Sequence, residues 1–413
     1  MTPDEGLSQA NVKTIVEDDL GQMWFGTLDG LNKYDGNNFT IYRHHPEDSA
    51  SISASYISSA FKDHDGSLWF GTSQGLSYYN ARLDQFVNFP LNKYLDDPSL
   101  PVNVQAIARY QDKLLLGTDR CGLIVLDPKS GEYEGFSHRG EDPGTLAGND
   151  IRSLLVDRSG RIWVGTTVGV HRFDPDRETF TRYLLAGAPG ERVSNDIRQL
   201  AEDPDGGIWI GTYGSGIARL AQESEGYKFS VRISTAGSSA RLSNNLIMGL
   251  SVSPEGLWIG TENGGLNFLD WETKAVTVFK NDPYNPESLN NNSVYAVYED
   301  QAGNIWLGTY AGGINVAFHS QQAIRVYRAV PGGVNTLSYN SVLNFCQTRD
   351  GRVWIATDGG GINIYDPATN KFEILNARNA NLPRDAVLYI FEDSRGTVWV
   401  GTWDGGLSRY NPT

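Results

Sequence analysis

The chain has 413 residues, enough for two or three ordinary domains or one large repeat array. Its formal net charge of −15, with no run of more than two basic residues, argues against a nucleic-acid surface and against direct membrane contact through a polybasic patch. A hydrophobic share of 39% suits a folded protein, 46 glycines favour short strands and tight turns, and no apolar run nears the length that crosses a bilayer.

Met1 leads straight into "TPDEGLSQANV", which has no signal-peptide pattern. The first strand-and-turn unit is "MWFGTLDGLNKY". It returns as "LWFGTSQGLSYY", "LLLGTDRCGLIV" (Leu115 replaces Trp), "IWVGTTVGVHRF", "IWIGTYGSGIAR", "LWIGTENGGLNF", "IWLGTYAGGINV", "VWIATDGGGINI" and "VWVGTWDGGLSR". The glycine of each Trp-x-Gly-Thr stands at 26, 71, 117, 165, 211, 260, 308, 356 (here Ala) and 401. That period of about 47 residues matches one four-stranded propeller blade. Blades are expected near 6–45, 46–91, 92–138, 139–185, 186–233, 234–281, 282–328, 329–376 and 377–413.

The second copy reads as one blade in full. "YISSAFKD" is a first strand, "HDGS" a turn, "LWFGT" a second strand, "SQG" a turn, "GLSYY" a third strand and "QFVNF" an outer strand. Almost no helix is expected. The fold class is all-β: a β-propeller of four-stranded antiparallel blades.

The repeated residues have physical jobs. Trp at 24, 69, 163, 209, 258, 306, 354 and 399 fills the wedge between neighbouring blades. The glycine after it allows close backbone approach. A second glycine, at 30, 75, 122, 169, 216, 265, 313, 361 and 406, opens the third strand, where a positive φ is expected. Asp18, Asp63, Asp157, Asp203, Asp300 and Asp393 sit at the first hairpin and accept bonds from turn amides. A catalytic carboxylate would not be copied into six equivalent turns.

The pattern "LS-x-N-x-V…ED-x-x-G-x-(I/L)W(I/V)GT-x-x-G(L/I)-x-x-(Y/F)D" resembles the two-component regulator propeller repeat, and "GLSQANVKTIVEDDLGQMWFGTLDGLNKYDG" is nearly a full example. Departures are Leu115, Ser253 in place of Asp, and Ala356. The resemblance implies an extracytoplasmic, periplasmic sensor propeller, attached in the full-length protein to a membrane signalling output domain, usually a histidine kinase or a diguanylate cyclase.

Outer strands are read at "FTIY", "FVNF", "YEGF", "FTRY", "FSVRI", "VTVF", "IRVY" and "FEIL", leaving the ninth blade without one. A single closed nine-bladed ring is expected, because a partial second ring would leave an apolar sheet face uncovered. A seven-bladed ring with two further blades is the alternative.

The loops entering the first strands and the turns between second and third strands should share one face. Within "GT-x-x-G" the two x positions vary freely, and variable positions on a rigid frame are where binding sites are built. Tyr213, Tyr310 and Trp403 offer flat apolar platforms; Asp29, Arg120, Glu262, Asn263, Asp358 and Asp404 offer hydrogen bonds. Aromatic faces beside carboxylates and amides suit an oligosaccharide or another small molecule. The doubled glycines of "NGG", "AGG", "GGG" and "DGG" in blades 6 to 9 would lower the side-chain fence there. Trp271 is expected to pack on a blade edge.

No phosphate loop, nucleophile elbow or metal spacing is visible, none of the six histidines falls in these turns, and Cys121 and Cys346 occupy non-equivalent places. No catalytic residue, metal or cofactor is therefore assigned. The sequence predicts a non-catalytic ligand-binding sensor; a protein-binding platform and a polysaccharide-lyase-like enzyme are the rivals.

Overall fold

Each copy of the repeat folds into one antiparallel sheet, because alternating apolar strands are joined by turns that the glycines and aspartates dictate. The computed structural model describes residues 1–92, 101–187, 190–224, 226–236, 240–285, 287–318, 327, 329–330 and 335–410. Among these residues nine sheets form, seven with four strands and those of blades 7 and 9 with three. One 3₁₀ turn at Pro3–Glu5 is the only helical segment described. The outer strand read at "IRVY" (324–327) lies outside the described residues except for Tyr327.

The repeated residues do what their chemistry suggests. Asp157 Oδ1 accepts from the amides of Ser159 and Arg161, both at 3.0 Å, while Oδ2 takes the Trp163 indole N–H at 2.8 Å. The same Asp–Trp bond recurs at Asp18–Trp24, Asp203–Trp209, Asp300–Trp306 and Asp393–Trp399. One carboxylate thus closes the hairpin and orients the wedge-filling ring. In blades 2 and 8 the bond is missing. Asp63 instead faces Arg109 at 3.1 Å, Thr348 replaces Asp in blade 8, and the indole nitrogens of Trp69 and Trp354 have no partner.

The Trp of a ring blade leans on the next blade: Trp24 lies 4.7 Å from Tyr79, and Trp163 lies 4.8 Å from Tyr227. In blade 3, Leu115 takes this place and packs with Ile162 and Phe173. The glycine of Trp-x-Gly-Thr receives the first residue of the next blade. A Cβ on Gly26 would lie 2.7 Å from the Ile57 side chain, and one on Gly165 would lie 2.8 Å from Ile197.

This rule also locates ring closure. A Cβ on Gly308 in blade 7 would meet Val12 of blade 1 at 2.7 Å, and Trp306 packs 5.7 Å from Phe25. Met1 completes the joint, its carbonyl accepting from the Ile314 amide at 2.8 Å and its amino group donating to the Ile314 carbonyl at 2.7 Å. All nine blades of the repeat count are present, but the ring closes after the seventh. The seven-plus-two alternative is the arrangement found, and it corrects the expectation of one nine-bladed ring. The physical reason is that blade 1 offers blade 7 an apolar surface, Val12, Phe25 and Tyr34, at the positions where each ring blade presents apolar side chains to its predecessor. Met1 then pairs with Ile314 of blade 7.

The chain accordingly divides into two compact units, Met1–Ser320 and Gln321–Thr413. Within the second unit, Trp354, Ala356 and Ile364 of blade 8 pack with Val387, Ile390 and Val400 of blade 9.

Candidate functional site

In the seven-bladed unit, the first strands touch one another in cyclic order: Val12–Glu17, Ile57–Lys62, Val104–Tyr110, Ile151–Val156, Ile197–Glu202, Ile247–Val252, Val294–Glu299, and back to Val12–Glu17. They therefore line the central channel. Backbone bonds place the turns on the same face as the starts of these strands. Tyr213 N donates to Asp196 O at 2.8 Å, Glu262 N to Leu246 O at 2.9 Å and Tyr310 N to Ser293 O at 3.0 Å.

Every first strand has its register broken at its second residue, which is left unpaired in a β-bulge. A bulge re-aims a side chain. The seven residues so placed are Lys13, Ser58, Gln105, Arg152, Arg198, Met248 and Tyr295. Contacts between blades show that they gather around the channel mouth. Ser58 Oγ donates to Asn103 Oδ1 at 2.6 Å, Arg152 Nη1 to Gln105 Oε1 at 2.7 Å, and Lys13 Nζ stands 4.2 Å over the Tyr295 ring.

The sequence "NDIR" occurs twice, at 149–152 and 195–198, and builds the same device in blades 4 and 5. Asp150 holds Arg152 at 2.5 Å, and Asp196 holds Arg198 at 2.9 Å. Arg198 also lies over Tyr213 at 4.4 Å. In blades 6 and 7, Ser293 Oγ donates to Glu262 Oε1 or Asn263 Oδ1, each at 3.2 Å, and Tyr295 and Tyr310 sit 5.5 Å apart at an angle of 49°.

The electrostatics of these groups are shared across blades. Burial, and then a hydrogen bond to Glu262, push the Tyr295 phenol well above its usual value. Burial lowers the Lys13 pKa; the Glu262 carboxylate opposes this and Arg198 reinforces it. Burial raises the Asp150 carboxyl against the pull of Arg152, with Asp119 adding to the rise. Buried atoms with no partner also concentrate here: Asp119 Oδ1, Asp150 Oδ1, Arg152 Nε, Asp196 Oδ1 and Arg198 Nε. Among the described residues no group of three or more His, Cys, Asp or Glu side chains is placed to hold a metal ion.

Of the residues picked from sequence, Tyr213, Glu262, Asn263 and Tyr310 come together at this mouth. Asp29 does not join them: it pairs with Arg43 at 3.3 Å, both side chains well exposed. Arg120 is exposed. Asp358, Trp403 and Asp404 belong to the second unit, where Asp404 stands 3.9 Å from Arg384 and Trp403 is 66% exposed. The doubled glycines have a packing cause. A Cβ on Gly264 would strike Thr261 Oγ1 at 2.5 Å, and one on Gly312 would strike Asn290 at 2.3 Å. Trp271 lies 6.0 Å from Trp209 and donates to Ser253 O at 3.1 Å, beside a cleft of about 830 Å³ between blades 5 and 6.

Lys13, Arg152, Arg198 and Tyr295 were missed by sequence reasoning. Their signal is a position that changes freely (Lys, Ser, Gln, Arg, Arg, Met, Tyr) directly after a Val or Ile that does not.

Such an arrangement defines a class: a propeller whose uniform scaffold presents a varied set of side chains at one end of its channel. The two component regulator propeller family supplies the repeat, its model matching at 6–29, 51–74, 145–167, 192–214, 288–311, 336–359 and 381–404. Seven of the nine blades, all but the third and the sixth, thus carry a segment that matches the family's repeat. The extracellular domain of a hybrid two component system from B. thetaiotaomicron is 27% identical with a TM-score of 0.65, covering 100% of this chain and 53% of that one. The extracellular domain of a one component system from the same organism, 24% identical with a TM-score of 0.62, covers 98% and 57%. This chain thus spans little more than half the length of these relatives. Over 52 residues it is 62% identical to histidine kinase P4 of Formosa agariphila, a stretch that is 13% of this chain and 4% of that protein. Virginiamycin B lyase from Staphylococcus aureus, 11% identical with a TM-score of 0.55 over 74% of this chain and 94% of its own, shares the fold alone.

Proposed function

We propose that this chain is a non-catalytic sensor propeller whose channel mouth binds a carbohydrate, and that it forms the periplasmic input region of a membrane-bound signalling protein. The observation that carries the reading is the convergence of Tyr213, Tyr295 and Tyr310 with Glu262, Asn263 and Arg198. Aromatic faces take the C–H face of a sugar ring, while carboxylate, amide and guanidinium groups meet its hydroxyls. The likeness to extracellular domains of signalling systems supports the location and the attached output domain. No helix of the described residues is long and apolar enough to cross a membrane. Binding would act by differing affinity for two arrangements of the receptor.

A lyase-like enzyme has less support. His171, the most buried histidine, accepts from the Ala147 amide through Nε2 at 3.2 Å and is sealed from solvent. The test is a thermal-denaturation scan of the 413-residue chain against oligosaccharides, amino acids and nucleotides. A ligand at 100 times its Kd adds about 2.7 kcal/mol, which in a chain this long moves the midpoint by only a degree or two. A reproducible shift with sugars, abolished by Tyr310→Ala, is expected. A flat response across the panel would move the reading to a protein-binding platform.

A further inference from the structure

We propose that the mouth sector formed by blades 5, 6, 7 and 1 selects an acidic sugar, with Lys13 taking its carboxylate or sulfate. This rests on the carbohydrate reading above and adds the chemistry of the ligand. Three cations reach the mouth through the bulged positions, and two are already held. Arg152 is paired with Asp150 and bonded to Gln105, and Arg198 is paired with Asp196. Lys13 differs. Among the described residues its ammonium has neither a hydrogen bond nor an ion pair; it stands only over the Tyr295 ring.

That ammonium is half-buried, and the Arg198 charge nearby adds to the strain of keeping it protonated. A desolvated cation without a partner costs free energy that an incoming anion would return. Glu262, the carboxylate whose charge Lys13 feels, lies beyond ion-pair distance and is occupied by Ser293, Asn263 and Tyr295. A direct ion pair to the Lys13 ammonium is therefore left for an incoming anion to make. Lys13 and Arg198 already balance Glu262 and Asp196 in charge, so the sector suits a ligand with a single acidic group that meets Lys13 directly, and not a polyanion such as a nucleoside triphosphate. Tyr310, 51% exposed and inclined to Tyr295, offers the surface on which the sugar ring lies, with Asn263 and Glu262 beside it for hydroxyls.

Three probes test this by titration calorimetry on the whole chain: trigalacturonate, a singly sulfated galactose trimer and the uncharged galactose trimer. At least one acidic probe should bind tenfold or more tightly than the neutral one. Lys13→Gln should erase that preference, Lys13→Arg should retain it, and Lys129→Gln, at an exposed turn of blade 3, should leave it unchanged. Preference for trigalacturonate assigns a carboxylate, and preference for the sulfated trimer assigns a sulfate. Unchanged thermal midpoints show that the variants fold. Equal binding of neutral and acidic trimers, or a preference that survives Lys13→Gln, overturns the proposal while leaving carbohydrate sensing intact. Binding of none of the three also overturns the proposal, and the carbohydrate reading is then decided by the thermal scan above.

Discussion

Blades 1 to 7 and blades 8 to 9 are written in the same repeat, yet they bury different amounts of it. In the first strand of blade 1, Ile15 and Val16 face the two neighbouring blades and are 7% and 4% exposed. Their equivalents on the corresponding sides of the second unit are Phe345 in blade 8 and Phe391 in blade 9, which are 64% and 53% exposed. Leu31 in the third strand of blade 1 is sealed, whereas Leu407 of blade 9 is 70% exposed. The bulged position differs too. It is polar or aromatic in six of the seven ring blades and leucine in both others, Leu343 and Leu388. A four-stranded sheet has no core of its own, and each face is stabilised only by another blade. Closure in the first unit converts apolar strand faces into core; within the second unit, blades 8 and 9 cover only the face they share.

Paired substitutions would break or sharpen that contrast. Trp24→Ala removes a fully buried ring together with its bond to Asp18, and should cost about 3–5 kcal/mol in urea unfolding. Ile15→Ala should cost about 2–4 kcal/mol, against less than about 0.5 kcal/mol for the exposed Phe345→Ala. Equal losses would mean that the second unit buries these faces in solution.

Acid should act on the ring selectively, because residues 321–413 contain no histidine. Burial, and then the charge of Arg182, push the His171 pKa down to about 4 from the ordinary 6.5. Between these values the unfolded chain takes up a proton and the folded ring does not. Stability is therefore full above pH 6.5 and falls as pH drops towards 4, by on the order of 3 kcal/mol. Asn32 and Asn267 occupy this place in blades 1 and 6, accepting a backbone amide as His171 does. His171→Asn should accordingly flatten the acid limb of a midpoint-against-pH curve, and an unchanged slope would assign the sensitivity elsewhere.

A smaller effect is expected at the blade joint. Gly308→Ala crowds Val12 and should cost about 1–3 kcal/mol, while Gly401→Ala, with its nearest neighbour at 3.9 Å, should cost little. Blade 8 already carries Ala356 at this position, buried against blade 9. Trp403→Ala, at an exposed turn, should change stability by no more than about 0.5 kcal/mol.

Much of this molecule was legible from local chemistry. The strands, the glycine turns, the Asp-closed hairpins and the wedge-filling Trp follow from alternation and turn rules acting within some fifty residues. Half of the candidate site was visible for the same reason: Tyr213, Glu262, Asn263 and Tyr310 are the variable residues of a turn whose frame is constant. Lys13, Arg198 and Tyr295 were not, because nothing in a strand's alternation marks its second residue as bulged. Asp29 looked equivalent to Asn263 by position, and its pairing with Arg43 takes it out of the cluster.

The sequence by itself determined the blade: its four strands, its period, its hydrogen-bonded hairpin and the face on which variable residues appear. Only the tertiary structure decided where the ring closes. Every blade carries the same joint surface, so closure after seven or after nine satisfies the same local rules. The choice falls to the angle between successive blades and to Met1 reaching Ile314, and neither is written in any single repeat. The same closure brings Lys13 of blade 1 over Tyr295 of blade 7, 282 residues apart in the chain, and so assembles the site.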